Sequence, residues 1–311
     1  MLSKTLFSKI LFFIFLLFCV SPYASPPLAL ALGLALALSV GNSYKTYTSK
    51  ASKLILQISV VGLGFKMNIA TVMTMGIDSF WLTFISIFGI LLLGIGTGKL
   101  LKVQEKTSYL IASGTAICGG SAIAAIAPVV DAKEEEISVS LAVVFILNAI
   151  ALFIFPIVGK YLELSQNQFG IWAALAIHDT SSVVGASKQF GEKSLEIATT
   201  IKLTRALWII PVAITSAYIF RKKDTKIQFP YFILYFLLAS CLYSYIEILK
   251  PIAEIIANFA HIGLTITLFL IGAGLSADSI KKVGMMPFLQ AVSMWLVVTG
   301  VILTYVMLFQ Q

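Results

Sequence analysis

An all-α, polytopic membrane fold is what this sequence predicts, on three observations. The 311 residues are 59% hydrophobic and only 12% charged, with a mean hydropathy of +0.97, whereas a soluble domain carries about 25% charged residues. Apolar runs long enough to cross a bilayer recur along the whole chain. Two of those runs are interrupted by short polar stretches, and paired broken helices are the sequence mark of a transporter's binding site. No stretch is polar enough to form a separate soluble domain, so residues 1–311 read as a single transmembrane domain.

In chain order the expected spans are Ile10–Val20, Leu28–Val40, Leu54–Met75, Phe80–Gly98, Tyr109–Val130, Ile137–Gly159, Phe169–Ala186, Ile197–Phe220, Phe229–Tyr245, Ile252–Gly274 and Met286–Phe309. That is about eleven crossings, joined by short connections and therefore alternating in direction. The first run follows Lys9 and ends at Ser21-Pro-Tyr-Ala24, so it also reads as a cleaved signal peptide; both readings leave the next span starting outside. The aromatic run Phe229–Phe236 reads as an interfacial belt with a lipid-facing surface. A weak internal echo relates Gly64–Gly76 to Gly272–Gly284, each ending a span. The two spans run in opposite directions, as an inverted repeat requires.

The formal net charge of +8 would suit a nucleic-acid partner, but the charges lie between spans, where the positive-inside rule governs them. With the N-terminus inside, the inner set is Lys4, Lys9, Lys45, Lys50, Lys53, Lys99, Lys102, Lys106, Lys160, Arg221, Lys222, Lys223, Lys226, Lys281 and Lys282. Only Lys133, Lys188, Lys193 and Lys250 fall outside. The expectation is therefore N-terminus in, C-terminus out, with the acidic turn Asp131–Glu136 outside. Cys19, Cys118 and Cys241 sit in apolar runs without metal or disulfide spacing. Cys19 and Cys241 read as small buried hydrophobes.

The first interruption is Gly114-Thr-Ala-Ile-Cys-Gly-Gly-Ser121 and the second is Ile177-His-Asp-Thr-Ser-Ser182. Glycine pairs loosen a helix, while Asp, Ser and Thr cap new helix starts. An unwound stretch at membrane depth is tolerated only inside protein or beside a watery cavity. A half-helix starting near Gly119, Gly120 and Ser121 would offer free N–H groups to an anion. His178 and Asp179 would point in different directions on an unbroken helix, but on a broken one both can face a cavity. His178 reads as a substrate or proton group. Asp179 reads either as the N-cap of a half-helix opening at Thr180, Ser181 and Ser182 or as a functional carboxylate. Lys202 and Arg205, three residues apart, share a helical face. They read as anion ligands or partners of Asp179, with anchoring at the outer interface as the alternative. Asn148, Glu254, Asn258 and His261 read as interhelical hydrogen-bonders. No HExxH, GxSxG or P-loop pattern occurs, so hydrolysis within the membrane and ATP-driven pumping lack their usual residues.

At these motifs the chain resembles the YeiH-like family of bacterial inner-membrane proteins, labelled sulfate exporters. The resemblance runs nearly end to end. It rests on Lys106-Thr-Ser-Tyr-Leu-Ile-Ala-Ser-Gly-Thr-Ala-Ile-Cys-Gly-Gly120, on Pro128-Val-Val130, on His178 with Asp179, and on Lys202 with Arg205. Asp179 stands where the family pattern has Glu, and Ser182 where Gln is common. The family is similar to bile-acid-type and cation/proton antiporter folds. That implies a panel domain beside a core domain with two crossing broken helices, inverted repeats and an elevator-like shift. The function so implied is ion-coupled export of a small anion such as sulfate, sulfite or a sulfonate, with a passive channel or membrane sensor as the alternative. Such a protein is not an enzyme and needs no cofactor or metal. Its expected partners are a small anion substrate and membrane lipid, with no nucleic acid; a second copy in a homodimer stays open. Gly119, Gly120, Ser121, His178, Asp179, Thr180, Ser181, Lys202 and Arg205 are the expected substrate-binding residues.

Overall fold

The computed structural model describes residues 2–220, 231–275 and 283–309, and all regular structure among them is helical. Arg221–Lys226, Lys281 and Lys282 of the expected inner set lie outside the described residues, as do residues 276–282 of the glycine echo's second half. The helices group into two compact units, one from 1–74 and 231–278, the other from 75–230 and 279–311.

The first unit comprises α1 (Leu2–Phe18), α2 (Pro26–Ser39), α3 (Lys45–Gly64), most of α4 (Ile69–Asp78), α13 (Tyr231–Tyr245) and α14 (Lys250–Gly274). Pro26 opens α2 at a position where its missing N–H is harmless. Two glycines bring α2 onto α14. A Cβ on Gly33 would collide with the Phe269 carbonyl and lie 2.7 Å from the Ala273 nitrogen. One on Gly272 would lie 2.5 Å from the Leu30 carbonyl oxygen. Without a hydrophobic drive inside lipid, such backbone-to-backbone closeness is what joins helices. Asn42 Nδ2 donates to the Ala273 carbonyl at 2.9 Å, and the Phe12 ring packs 5.4 Å from Phe269.

The single span expected over Leu54–Met75 is corrected to two helices bent by 110° at a break after Gly64. The reason is local. Asn68 Oδ1 accepts from Ala70 N at 2.8 Å, and the Ile69 N–H is taken by Ser244 Oγ at 2.9 Å. An Asn cap thus starts a new helix in mid-run.

The second unit contains α5 (Phe80–Leu100), α6 (Glu105–Ala116), α7 (Gly120–Ile126), α8 (Glu134–Tyr161), α9 (Gln166–Ala176), α10 (Thr180–Phe190), α11 (Glu192–Ala206), α12 (Ile209–Ile219) and α15 (Met285–Phe309). Both expected breaks are present, at 117–119 and 177–179. The expected crossings through them are not. Lys106 Nζ at the start of α6 donates to the Asp131 carbonyl beyond α7 at 2.5 Å, and Ser140 Oγ on α8 reaches the Thr107 carbonyl at 3.4 Å. The chain has returned to the face it entered. A 12-residue helix rises about 18 Å, roughly half of a bilayer core of about 30 Å. The second pair behaves likewise from the other side. Phe169 at the base of α9 stacks 3.9 Å from Phe190 at the end of α10, and Gln166 Oε1 accepts from Lys193 N at 3.0 Å.

Two half-membrane hairpins therefore replace two crossings, and everything between them changes sides. The acidic turn Asp131–Glu136 shares a face with Lys106, and Lys160 shares the opposite face with Lys193. α8, capped by Glu136 Oε2 on Lys133 N at 2.6 Å, runs between those faces. α11 and α12 return, interrupted at 207–208, where Pro211 withholds an N–H from the Leu207 carbonyl. The Phe220 ring ends this return 5.3 Å from Tyr109, back on the Lys106 face. Among the described residues five helices are long and apolar enough to cross, six if the bent α3–α4 pair counts as one span. α1, α2 and α13 are shorter apolar helices.

Two outcomes test this architecture. Glu105→Cys and Glu134→Cys, in a background without other cysteines, should react with an impermeant maleimide from the same side of the membrane, and Lys193→Cys from the other. Labelling of Glu105→Cys and Glu134→Cys from opposite sides would show that the first broken segment crosses, and labelling of Glu134→Cys and Lys193→Cys from the same side that the second one does. Gly33→Leu should destabilise the α2–α14 pair by at least about 1–3 kcal/mol through overpacking, read as a lowered Tm in detergent.

Candidate functional site

The two hairpins touch at their tips. Gly119 turns the first tip at φ +64° and ψ −126°, a conformation that L side chains rarely adopt. A Cβ there would lie 3.2 Å from the Cα of Asp179 and 3.3 Å from its nitrogen. Gly120 packs against Phe145 of α8. Asp179 caps α10. Its Oδ2 accepts from the Ser181 amide at 3.0 Å and from the Ser181 hydroxyl, and its own N–H donates to Asn148 Oδ1 at 3.0 Å. Thr180 and Ser181 are buried in the same turn. Ser121 stands apart, being exposed.

Each hairpin brings the C-terminal end of a half-helix to the middle of the unit, and the last carbonyls there have no N–H to accept from within the helix. α11 supplies the donors. Arg205 Nε donates to the Ala116 carbonyl of the first tip at 2.6 Å, and Nη2 approaches the Thr115 carbonyl at 3.4 Å. Its Nη1 donates to the Leu175 carbonyl of the second tip at 2.6 Å. One guanidinium thus ties both hairpins together. Lys202 Nζ donates to the Ile177 carbonyl at 2.7 Å and the Ala174 carbonyl at 3.3 Å. Both side chains are fully buried, so neither reaches the outer interface. Neither lies within ion-pair distance of Asp179; their positive charge meets the negative ends of two helix dipoles instead.

His178 lies in the second break, next to Asp179, and is 1% exposed, yet neither ring nitrogen has a hydrogen-bond partner among the described residues. Thr115 Oγ1 and Asn148 Nδ2 share that condition, as do Thr199 Oγ1 and Thr200 Oγ1 on α11. Buried polar atoms of native proteins are nearly always paired, so a cluster of unpaired ones marks a place for a polar guest. The arrangement can present neutral N–H and O–H donors beside the N-terminus of α10, where the dipole favours negative charge.

The structure thus brings together Gly119, Gly120, His178, Asp179, Thr180, Ser181, Lys202 and Arg205. Asn148, read from sequence as an interhelical hydrogen-bonder, joins them through Asp179. Its only sequence signal is that it is a polar residue within a membrane-length segment.

A family model described as "Conserved hypothetical protein 698" matches residues 9–291. The UPF0324 membrane protein of Bacteroides thetaiotaomicron is 50% identical over 98% of this chain and 96% of its own length. That of Bdellovibrio bacteriovorus is 47% identical, covering 96% and 94%. That of Porphyromonas gingivalis is 48% identical, covering 92% and 88%. The chain belongs to the UPF0324 membrane protein family. This is the family to which the YeiH-like motifs pointed, and membership agrees with the multi-pass helical fold. No solved structure matches the chain.

The tip geometry makes a sharp expectation for Gly119. Gly119→Ala should cost about 1–3 kcal/mol of backbone strain, with the added methyl pressing on Asp179. A lowered Tm of the purified protein, against an unchanged Tm for Ser121→Ala at its exposed position, checks this.

Proposed function

We propose that this protein is a secondary active transporter that exports a small inorganic or organic anion such as sulfate, sulfite or a sulfonate, coupled to an ion gradient or to antiport. The observation that carries this reading is the meeting of two half-membrane hairpins, entered from opposite faces, around buried donors and buried positive charge. Substrate sites at the bilayer midplane between inverted, discontinuous helices are the shared design of secondary transporters. The N-terminus of α10 and the unpaired donors at His178, Thr115 and Asn148 suit oxyanion oxygens. The labelled function of YeiH-like proteins lies in the same class.

The basic residues supply an orientation for this proposal. Lys99, Lys102, Lys106 and Lys133 share the face where α12 ends, which we assign to the cytoplasm of a bacterial inner membrane. Lys160, Lys188 and Lys193 then lie outside, with the C-terminus. The loop after Phe220 begins on the cytoplasmic face, and the N-terminus is cytoplasmic.

Counterflow in proteoliposomes tests the reading. A carrier loaded with unlabelled anion accelerates uptake of the labelled one, whereas a passive channel shows no trans-stimulation. Sulfate, sulfite, sulfonates and small carboxylates are the anions to compare, preceded by a thermal-shift screen. A ligand at about 100 times its Kd adds about 2.7 kcal/mol to stability. His178→Ala removes no hydrogen bond among the described residues, so it should still fold, with a Tm lowered only by the cavity it leaves, while losing at least tenfold in anion affinity. An unchanged affinity in that variant would remove His178 from the site.

A further inference from the structure

The half-helix ends at the hairpin tips are of two kinds. In carriers built on discontinuous helices, the N-terminal ends face the anionic group of the substrate. The freed carbonyls and C-terminal ends hold the coupling cation. Here the carbonyls that would form such a cation site are those of Thr115 and Ala116 in α6, of Ala174 and Leu175 in α9, and of Ile177 in the break. All of them accept from Lys202 or Arg205. The two cations project from one face of α11, are fully buried, and have no carboxylate within ion-pair distance among the described residues. A buried charge without such a partner is costly unless something else compensates it. The carbonyl ends of two half-helices are that compensation, each equivalent to about half a negative charge.

We propose that Lys202 and Arg205 are tethered cations occupying the carbonyl sites that a dissolved Na+ or K+ would take in a carrier of this design. The hairpin tips then stay joined without a metal cation. The donors left for a substrate are the neutral ones at His178, Thr115, Asn148 and the N-terminus of α10. Arg205 and Lys202 are positioning residues, holding the two tips in register. In its consequence for transport the inference rests on the transporter reading, since it says that the driving ion does not bind at these carbonyls. Its structural content stands by itself and is tested without transport.

The test is the thermal unfolding of purified full-length protein in detergent, in sodium, potassium or choline chloride at matched ionic strength. The wild-type protein should show the same Tm in all three. Lys202→Ala should unfold at least 5 °C lower in choline and recover part of that loss, saturably, in Na+ or methylammonium. Arg205→Ala should recover in guanidinium at low millimolar concentration, below its denaturing range, and Lys202→Arg and Arg205→Lys should need no added cation. A saturable, Na+-specific rise in the wild-type Tm would overturn the proposal. So would Lys202→Ala and Arg205→Ala proteins that fold and ignore all of these cations. If both alanine variants fail to fold, Lys202→Met against Lys202→Arg decides. Folding of the arginine variant alone supports a required charge, and equal stability of the methionine variant overturns it. Absence of anion counterflow would remove the transporter reading and leave these cation results standing.

Discussion

Backbone carbonyls in the middle of a membrane need donors, and the rest of this structure follows from how two sets of them find one. A helix that stops halfway through hydrocarbon leaves its last turn of C=O groups with neither an N–H nor water to accept from, at several kcal/mol for each unsatisfied group. α6 and α9 both stop there. Arg205 donates to both, and Lys202 adds a second contact to the end of α9. That explains why α11, with Lys202 and Arg205 towards its C-terminal end, can be buried nearly all round. It also explains why the hairpins enter from opposite faces. Only tip-to-tip do both carbonyl ends come within reach of a single guanidinium.

The two hairpins are alike in plan. Each is followed directly by a crossing helix, α8 after the first and α11–α12 after the second, and the two sets run in opposite directions. This inverted pair lies within one compact unit. It differs from the weak glycine echo between residues 64–76 and 272–284, whose first half belongs to the other unit, where glycines bring α2 and α14 together by close backbone approach. It differs too from the crossing broken helices implied by antiporter-like folds, because each broken segment here turns back at its tip. The carbonyl ends are covered by side chains of the protein. The amide end at Thr180 has Asp179 as its cap, and His178 beside it has no hydrogen-bond partner among the described residues. On the proposed reading, the two cations hold the tips together and the neutral donors are left for the anion.

Much of this was legible in the residues. The hydropathy announced a polytopic helical protein, and the two polar interruptions located both tips to within a residue or two, because glycine and Asp-Ser-Thr chemistry at membrane depth has few other uses. Asp179 was readable as a cap, and it is one. The break after Gly64 was missed although Asn68 carried its signal, since a single Asn within an apolar run is a common interhelical hydrogen-bonder. Asn148 was read as such a hydrogen-bonder for the same reason.

The class of protein, the position of the breaks and the set of ionisable residues near them are all consequences of local hydropathy and local backbone preference, and so were readable along the chain. The direction of the chain after each break depends on its three-dimensional contacts. A segment of membrane length with a kink at its centre is compatible with crossing or with returning, and the local residues are the same in both. The contacts that separate the two outcomes are long-range: Lys106 on Asp131, Phe169 on Phe190, and Arg205 on carbonyls 30 and 89 residues away. The role of Lys202 and Arg205 was hidden for the same reason. Their partners are backbone oxygens, which every residue carries and no sequence pattern distinguishes.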